Sequence, residues 1–261
     1  MQKHPFHLVD PSPWPLFASI ALGGFTFGLV GWFHGFLYGD YLALISFISL
    51  IYVATVWWRD VIRESVYQGH HTKAVQTGIR YGMILFIVSE VMLFAGLFWA
   101  FGHSSLAPTI ELAGVWPPKG ITALDPFGIP FLNTLILLTS GASVTWAHYA
   151  ILLGNRKQGI NSLLITILLA AIFTSFQAYE YVSASFTISD SVYGSAFYML
   201  TGLHGAHVFV GTIFLAVCLY RLTKAELRPD HHLGFELASL YWHFVDFVWL
   251  LVFIVVYWWG S

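Results

Sequence analysis

Charge is what this 261-residue sequence has least of: Asp, Glu, Lys and Arg together make up 9%. A soluble domain carries about a quarter. A water-exposed surface of ordinary size cannot be built from so few ionic groups. Cysteine is nearly absent, since Cys218 stands alone and no intrachain disulfide can form. Net charge is −2, so a nucleic-acid partner has no electrostatic support. The N-terminus, MQKHPFHLVDPSPWP, lacks a basic segment leading directly into a short apolar one, and it is not an Arg- and Ser-rich amphipathic leader. Neither a cleavable signal nor a transit peptide is expected, and insertion falls to the chain's own helices. No internal repeat argues for a transporter of inverted halves. No phosphate-binding loop, Cys/His cluster or nucleophile–base arrangement is visible.

What remains is apolar. Hydrophobic residues reach 57% and aromatics 18%, and mean hydropathy is +0.72. These values describe an all-α, polytopic membrane protein, a single transmembrane domain over 1–261. Seven spans are expected, at roughly 14–34, 41–58, 80–102, 129–153, 160–182, 192–222 and 234–259, each long enough to cross the hydrocarbon core. In the first, Gly24 and Gly28 form a G-x-x-x-G pair with Gly31 following, which lets another backbone come close. The second closes on Trp57 and Trp58 at the interface and continues as an amphipathic turn or two until Gly69. A Pro-rich loop, Ser104 to Gly128, separates the third and fourth. The sixth is longer than a bilayer requires and must tilt or protrude.

Basic residues set the orientation. With the N-terminus inside, Lys3, Arg59, Arg63, Lys73, Arg80, Arg156, Lys157, Arg221, Lys224 and Arg228 fall on the inner side and Lys119 alone on the outer. This distribution predicts the N-terminus in the inner (matrix-type) compartment and the C-terminus outside.

The third span, RYGMILFIVSEVMLFAGLFWAFGH (Arg80 to His103), holds one ionisable interior group, Glu90, nearly midway. A charged side chain there carries a penalty of about 3 kcal/mol, so it must face protein, water or a partner. Proton handling or a polar lock between helices is the expected role. His204 and His207 share roughly one face of the sixth span, as do His243 and Asp246 in the seventh. Metal ligation needs three or four groups converging at one depth, and these do not share one. Haem would need a facing histidine at matching depth. A buried polar network of His204, His207, His243 and Asp246, joined by Glu90, is expected instead, with no metal, no cofactor and no catalytic residue on this chain. Inner-side Trp58, Arg63, His71, Arg80, Arg221 and Lys224 are candidates for the headgroups of anionic phospholipids. On the residues alone, a stand-alone proton-coupled channel or transporter using Glu90 stays open as an alternative, as does a haem-ligating anchor.

Several strings resemble a known family. They include DPSPWP (Asp10 to Pro15), WWRDVIRE (Trp57 to Glu64), QGHHT (Gln68 to Thr72), RYGMILFIVSEV (Arg80 to Val91), HSSLAPT (His103 to Thr109), TGLHGAHV (Thr201 to Val208), YWHFVD (Tyr241 to Asp246) and YWWGS (Tyr257 to Ser261). Spread from residue 10 to the last, they are similar to the subunit 3 family of mitochondrial cytochrome c oxidase. Tyr149 departs from it, where the family commonly shows a second histidine after His148. The resemblance implies a core subunit of the terminal respiratory complex, which passes electrons from cytochrome c to oxygen and pumps protons across the mitochondrial inner membrane, or the inner membrane of a bacterium for a bacterial relative. Haem and copper would then sit on partner subunits, and the chief partner would be the catalytic subunit 1. This chain would support the core and proton uptake. It would hold phospholipid in a cleft between the first two helices and the other five, with Glu90 as the family's intramembrane carboxylate.

Overall fold

A computed structural model describes residues 4–110 and 113–261. Lys3, counted above among the inner-side cations, lies outside the described residues, as do Glu111 and Leu112 of the long loop. Among the described residues the fold is all-helical, and seven helices are long and apolar enough to cross a membrane. They are α1 (Trp14–Phe33), α2 (Gly39–Val66), α3 (Lys73–Leu106), α4 (Ile129–Leu152), α5 (Arg156–Ser183), α6 (Ser191–Thr223) and α7 (Leu233–Val252), the last continued by wider π-type turns over Phe253–Trp258.

Four of the expected spans (41–58, 80–102, 160–182 and 192–222) sit inside their helices, which run further, and the other three overrun the helix end by one residue. α2 continues eight residues past Trp58 and α3 begins seven before Arg80. Hydropathy marks where lipid begins. Helical hydrogen bonding is indifferent to that boundary and stops at a breaker. Gly69, at φ +68°, is the breaker after α2.

The chain divides into two compact units, Met1–Ile79 and Arg80–Ser261, with the division inside α3. In the first, α1 and α2 meet along small residues. Ala21, Gly28 and Gly31 are buried on α1, and Gly39, Ala43, Ser46 and Val53 on α2. The approach is backbone on backbone: a Cβ on Gly28 would stand 2.4 Å from the Ala43 nitrogen, and one on Gly39 2.4 Å from that of Trp32. Lipid tails are as apolar as leucine, so association in a bilayer rests on such van der Waals contact.

The second unit packs through large side chains. Trp242, Trp249, Tyr193, Tyr257, Phe101, Phe173, Phe197 and Phe235 are fully buried. Edge-to-face pairs recur, with Phe173–Trp249 at 4.9 Å and 86° and Phe101–Trp116 at 5.4 Å and 89°. Buried indoles need acceptors, and α4 supplies them: Trp242 Nε1 donates to Ser140 Oγ and Trp249 Nε1 to Thr134 Oγ1, both at 3.0 Å. α7 is the most buried helix of the unit, with Leu240, His243 and Phe247 exposed along one side.

Contacts at the helix ends establish the alternation of this unit. Arg156, opening α5, donates from Nε to the Leu222 carbonyl near the end of α6 at 2.8 Å. Arg80, early in α3, pairs with Glu236, early in α7. His148, near the end of α4, lies edge-on to His232 beside the start of α7. At the opposite end, Tyr257 meets Glu180 near the end of α5, and Lys119 lines a hollow with Ser185, Asp190 and Ser191. Arg156 and Lys119 therefore stand at opposite ends of the second unit, as the positive-inside reading requires.

Candidate functional site

Glu90 is placed by α3 and met by α6. Its Oε2 lies 2.8 Å from His207 Nε2, with both side chains mostly enclosed. The other ring nitrogen, Nδ1, sits 2.7 Å from the Leu203 carbonyl one turn back. A carbonyl only accepts, so Nδ1 carries a hydrogen. Nε2 then either accepts from a protonated carboxyl or, as imidazolium, donates to a carboxylate. In both cases one proton occupies the Nε2···Oε2 bond and the pair is neutral overall. Neutrality is how a carboxyl can sit deep in a span without the penalty of an isolated charge.

Aromatic rings wall the pair. Phe94, buried one turn beyond Glu90, meets the His207 ring edge-on at 5.0 Å, and Tyr241 of α7 lies roughly parallel to it at 6.4 Å. The sequence spacing explains the arrangement: Glu90 and Phe94, four apart on α3, present one face to His207. The pair can pass or hold a single proton and can lock α3 to α6.

The expected four-residue network divides into separate contacts. His204 is fully buried, but its Nε2 bonds the Val245 carbonyl at 3.2 Å and its ring packs on Trp249 at 5.0 Å. It is a helix tie between α6 and α7. His243 is exposed, which corrects the expectation of burial, and bonds Thr145 Oγ1 of α4 at 3.2 Å. On a 3.6-residue period, His243 falls on the side of α7 turned away from Trp242, Val245 and Trp249. Asp246 is buried, 3.9 Å from His243 and pressed against Gly141, where a Cβ would stand 2.4 Å from Oδ2. Glu90 thus joins His207 and not the other three.

The headgroup candidates also differ among themselves. Trp58, Arg63 and His71 belong to the first unit. Trp58 and Arg63 are exposed and His71 is half-buried. In the second unit, Arg80 is engaged by Glu236 through two bonds of 2.9 and 2.8 Å. Arg221 is buried, 3.4 Å from Glu226, with its guanidinium against Gly234. Lys224 is exposed, its ammonium 5.6 Å from the Tyr220 ring centroid. Arg63 and Lys224 are the most open to a phosphate, and Arg221 the least.

One buried carboxyl escaped the sequence reading. Glu180 is 2% exposed and accepts from Tyr257 Oη at 2.5 Å and from Gln177 Nε2 at 3.2 Å. Asn133 Nδ2 reaches Gln177 Oε1 at 3.5 Å. Glu180 reads as an end-of-span residue. The signal lies in its company, since Gln177 at i−3 and Asn133 in another apolar run are polar groups with no reason to be in lipid.

The family model of cytochrome c oxidase subunit III matches residues 4–261. The chain belongs to that family. Three proteins named cytochrome c oxidase subunit 3 show how little it departs from it. That of Prototheca wickerhamii is 65% identical over the whole of both chains. That of Marchantia polymorpha is 60% identical over all of this chain and 98% of its own. That of Danio rerio is 57% identical over all of this chain and 99% of its own. Membership of the subunit III family makes this a multi-pass membrane subunit of cytochrome c oxidase, an oxidoreductase complex of the respiratory chain, with the other oxidase subunits as its partners.

Proposed function

We propose that the chain serves the oxidase as a support without a redox centre of its own: it braces the catalytic subunit 1, sustains proton uptake and holds anionic phospholipid. Haem and copper belong to the partner subunits, and the complex works in the mitochondrial inner membrane. The Glu90–His207 pair carries this reading. A proton shared at 2.8 Å deep in a span is useful to a proton-translocating assembly. It is also neutral, so it strengthens the bundle without charging it. The N-terminus faces the matrix and the C-terminus the intermembrane space, a reading supported by the single outlying cation, Lys119.

The deciding experiment is Glu90→Gln in the intact complex. Assembly and the haem spectrum survive, while proton uptake slows or the enzyme inactivates sooner under turnover. Loss of the haem spectrum would contradict this division of labour. For lipid, Arg63→Gln and Lys224→Gln lower the phospholipid retained per complex. Unchanged retention in both would remove them from the headgroup site.

A further inference from the structure

The histidines inside the spans divide among separate contacts. The structure assembles a different trio, entirely within the first unit and outside the hydrophobic stretch of α2. His7 of the N-terminal segment, Glu64 at the end of α2 and His71 of the following turn place one ligand atom each within 4.8 Å of one another, all three half-buried. We propose that these residues form a binding site for a zinc-class divalent cation, with water completing the coordination.

Three features argue for a built site. The α2 terminus folds back on itself: the Tyr67 and Gln68 amides donate to the Arg63 carbonyl, and the His70 amide donates to the Glu64 carbonyl at 3.1 Å. Gly69 in the left-handed region permits the reversal, which returns His71 to the level of Glu64. Gln76 Nε2 then donates to the His71 carbonyl at 3.0 Å and fixes that residue from the far side. His7 is pinned on both flanks. Thr72 Oγ1 donates to the Pro5 carbonyl, and Trp14 Nε1 donates to Asp60 Oδ2 at 2.8 Å. Its ring also stacks on His70, at 5.0 Å and 16°. A segment of this length with no helix of its own is thus held over the end of α2 at two points, with an imidazole between them.

The donor set selects the metal. Two imidazoles and one carboxylate with an open position make the set used for zinc, and they suit cobalt and cadmium as surrogates. Calcium and magnesium prefer oxygen donors alone. With metal–ligand bonds of about 2.0–2.2 Å, tetrahedral ligand atoms stand about 3.4 Å apart. The trio must close to that spacing from within 4.8 Å when an ion binds. One carboxylate and two neutral imidazoles leave a single net charge on the bound ion.

The test uses the purified oxidase complex, stripped by chelator and titrated with zinc ion alone, with haem as the internal count. One zinc beyond the chelator-resistant metal is expected per complex. X-ray absorption at the zinc edge should show imidazole scattering and only nitrogen or oxygen neighbours. His7→Ala and Glu64→Gln each weaken uptake more than tenfold, since loss of a mere outer-shell partner is worth about 10- to 100-fold. His7→Ala alters a segment outside every helix, and an intact haem spectrum verifies assembly. No additional zinc in the parent complex would overturn the proposal, as would an absorption edge without imidazole features. Zinc retained undiminished in His7→Ala would assign the ion to headgroup phosphate or another part of the complex, and would equally overturn it.

Discussion

The two units of this chain solve one problem by opposite means. Lipid offers no hydrophobic drive for helix association, so each pair of helices needs another reason to stay together. The first unit removes side chains. Gly28 against Ala43 and Gly39 against Trp32 let two backbones approach until their main-chain atoms touch. The second unit adds side chains, interlocking tryptophan, tyrosine and phenylalanine, and inserts polar pairs where rings leave acceptors or donors unmet. A small-residue seam has nowhere to hide a carboxyl. An aromatic core with hydroxyls, amides and imidazoles does, and both intramembrane glutamates with described partners, Glu90 and Glu180, lie in the second unit.

The sharpest way to break this contrast is at the aromatic core. Trp249→Ala empties a fully buried site, removes the edge-on contact with Phe173 and takes away the indole donor to Thr134 Oγ1, which keeps only its own bond to the Pro130 carbonyl. A loss of about 3–5 kcal/mol is expected, read as a lower midpoint in detergent denaturation. Next comes Gly28→Ala. Its new Cβ would meet the backbone of Ala43, which cannot swing aside, so the helices must separate. About 2–3 kcal/mol is expected, as for overpacking, with protease cuts appearing between α1 and α2 and not in the second unit. Arg80→Met breaks a two-bond pair that is partly open to its surroundings. It should move the midpoint by no more than about 1 kcal/mol. The smallest effect belongs to Gly96→Ala on α3, where a Cβ meets nothing within 4 Å. Stability should hold or rise by less than about 1 kcal/mol from helix propensity. Equal costs for Gly28→Ala and Gly96→Ala would erase the distinction between the units.

Much of this was legible beforehand. Seven long apolar runs, interrupted by Gly, Pro and charge, map onto seven helices because hydropathy and helix length obey the same bilayer thickness. Glu90 stood out because a carboxyl amid some twenty apolar residues must face protein, water or a partner. Its partner did not stand out. His204 and His207 look equivalent in the sequence, three residues apart on one helix, yet His207 turns to α3 and His204 to α7. His243 looked buried and is exposed, and Glu180, in the last turn of α5, is buried. Each of these depends on which neighbour a helix face meets, and periodicity within one helix carries no information about rotation relative to another.

The amino-acid sequence by itself determined that this chain belongs in a bilayer and forms seven helices long and apolar enough to cross it. Those outcomes follow from transfer energies that sum residue by residue along the chain. Tertiary structure alone decided which polar groups pair, that His207 and not His204 answers Glu90, and that His7 comes to lie beside Glu64 and His71. Pairing at 2.8 Å depends on the rotation and depth of two helices at once, and that relation exists only after they have packed.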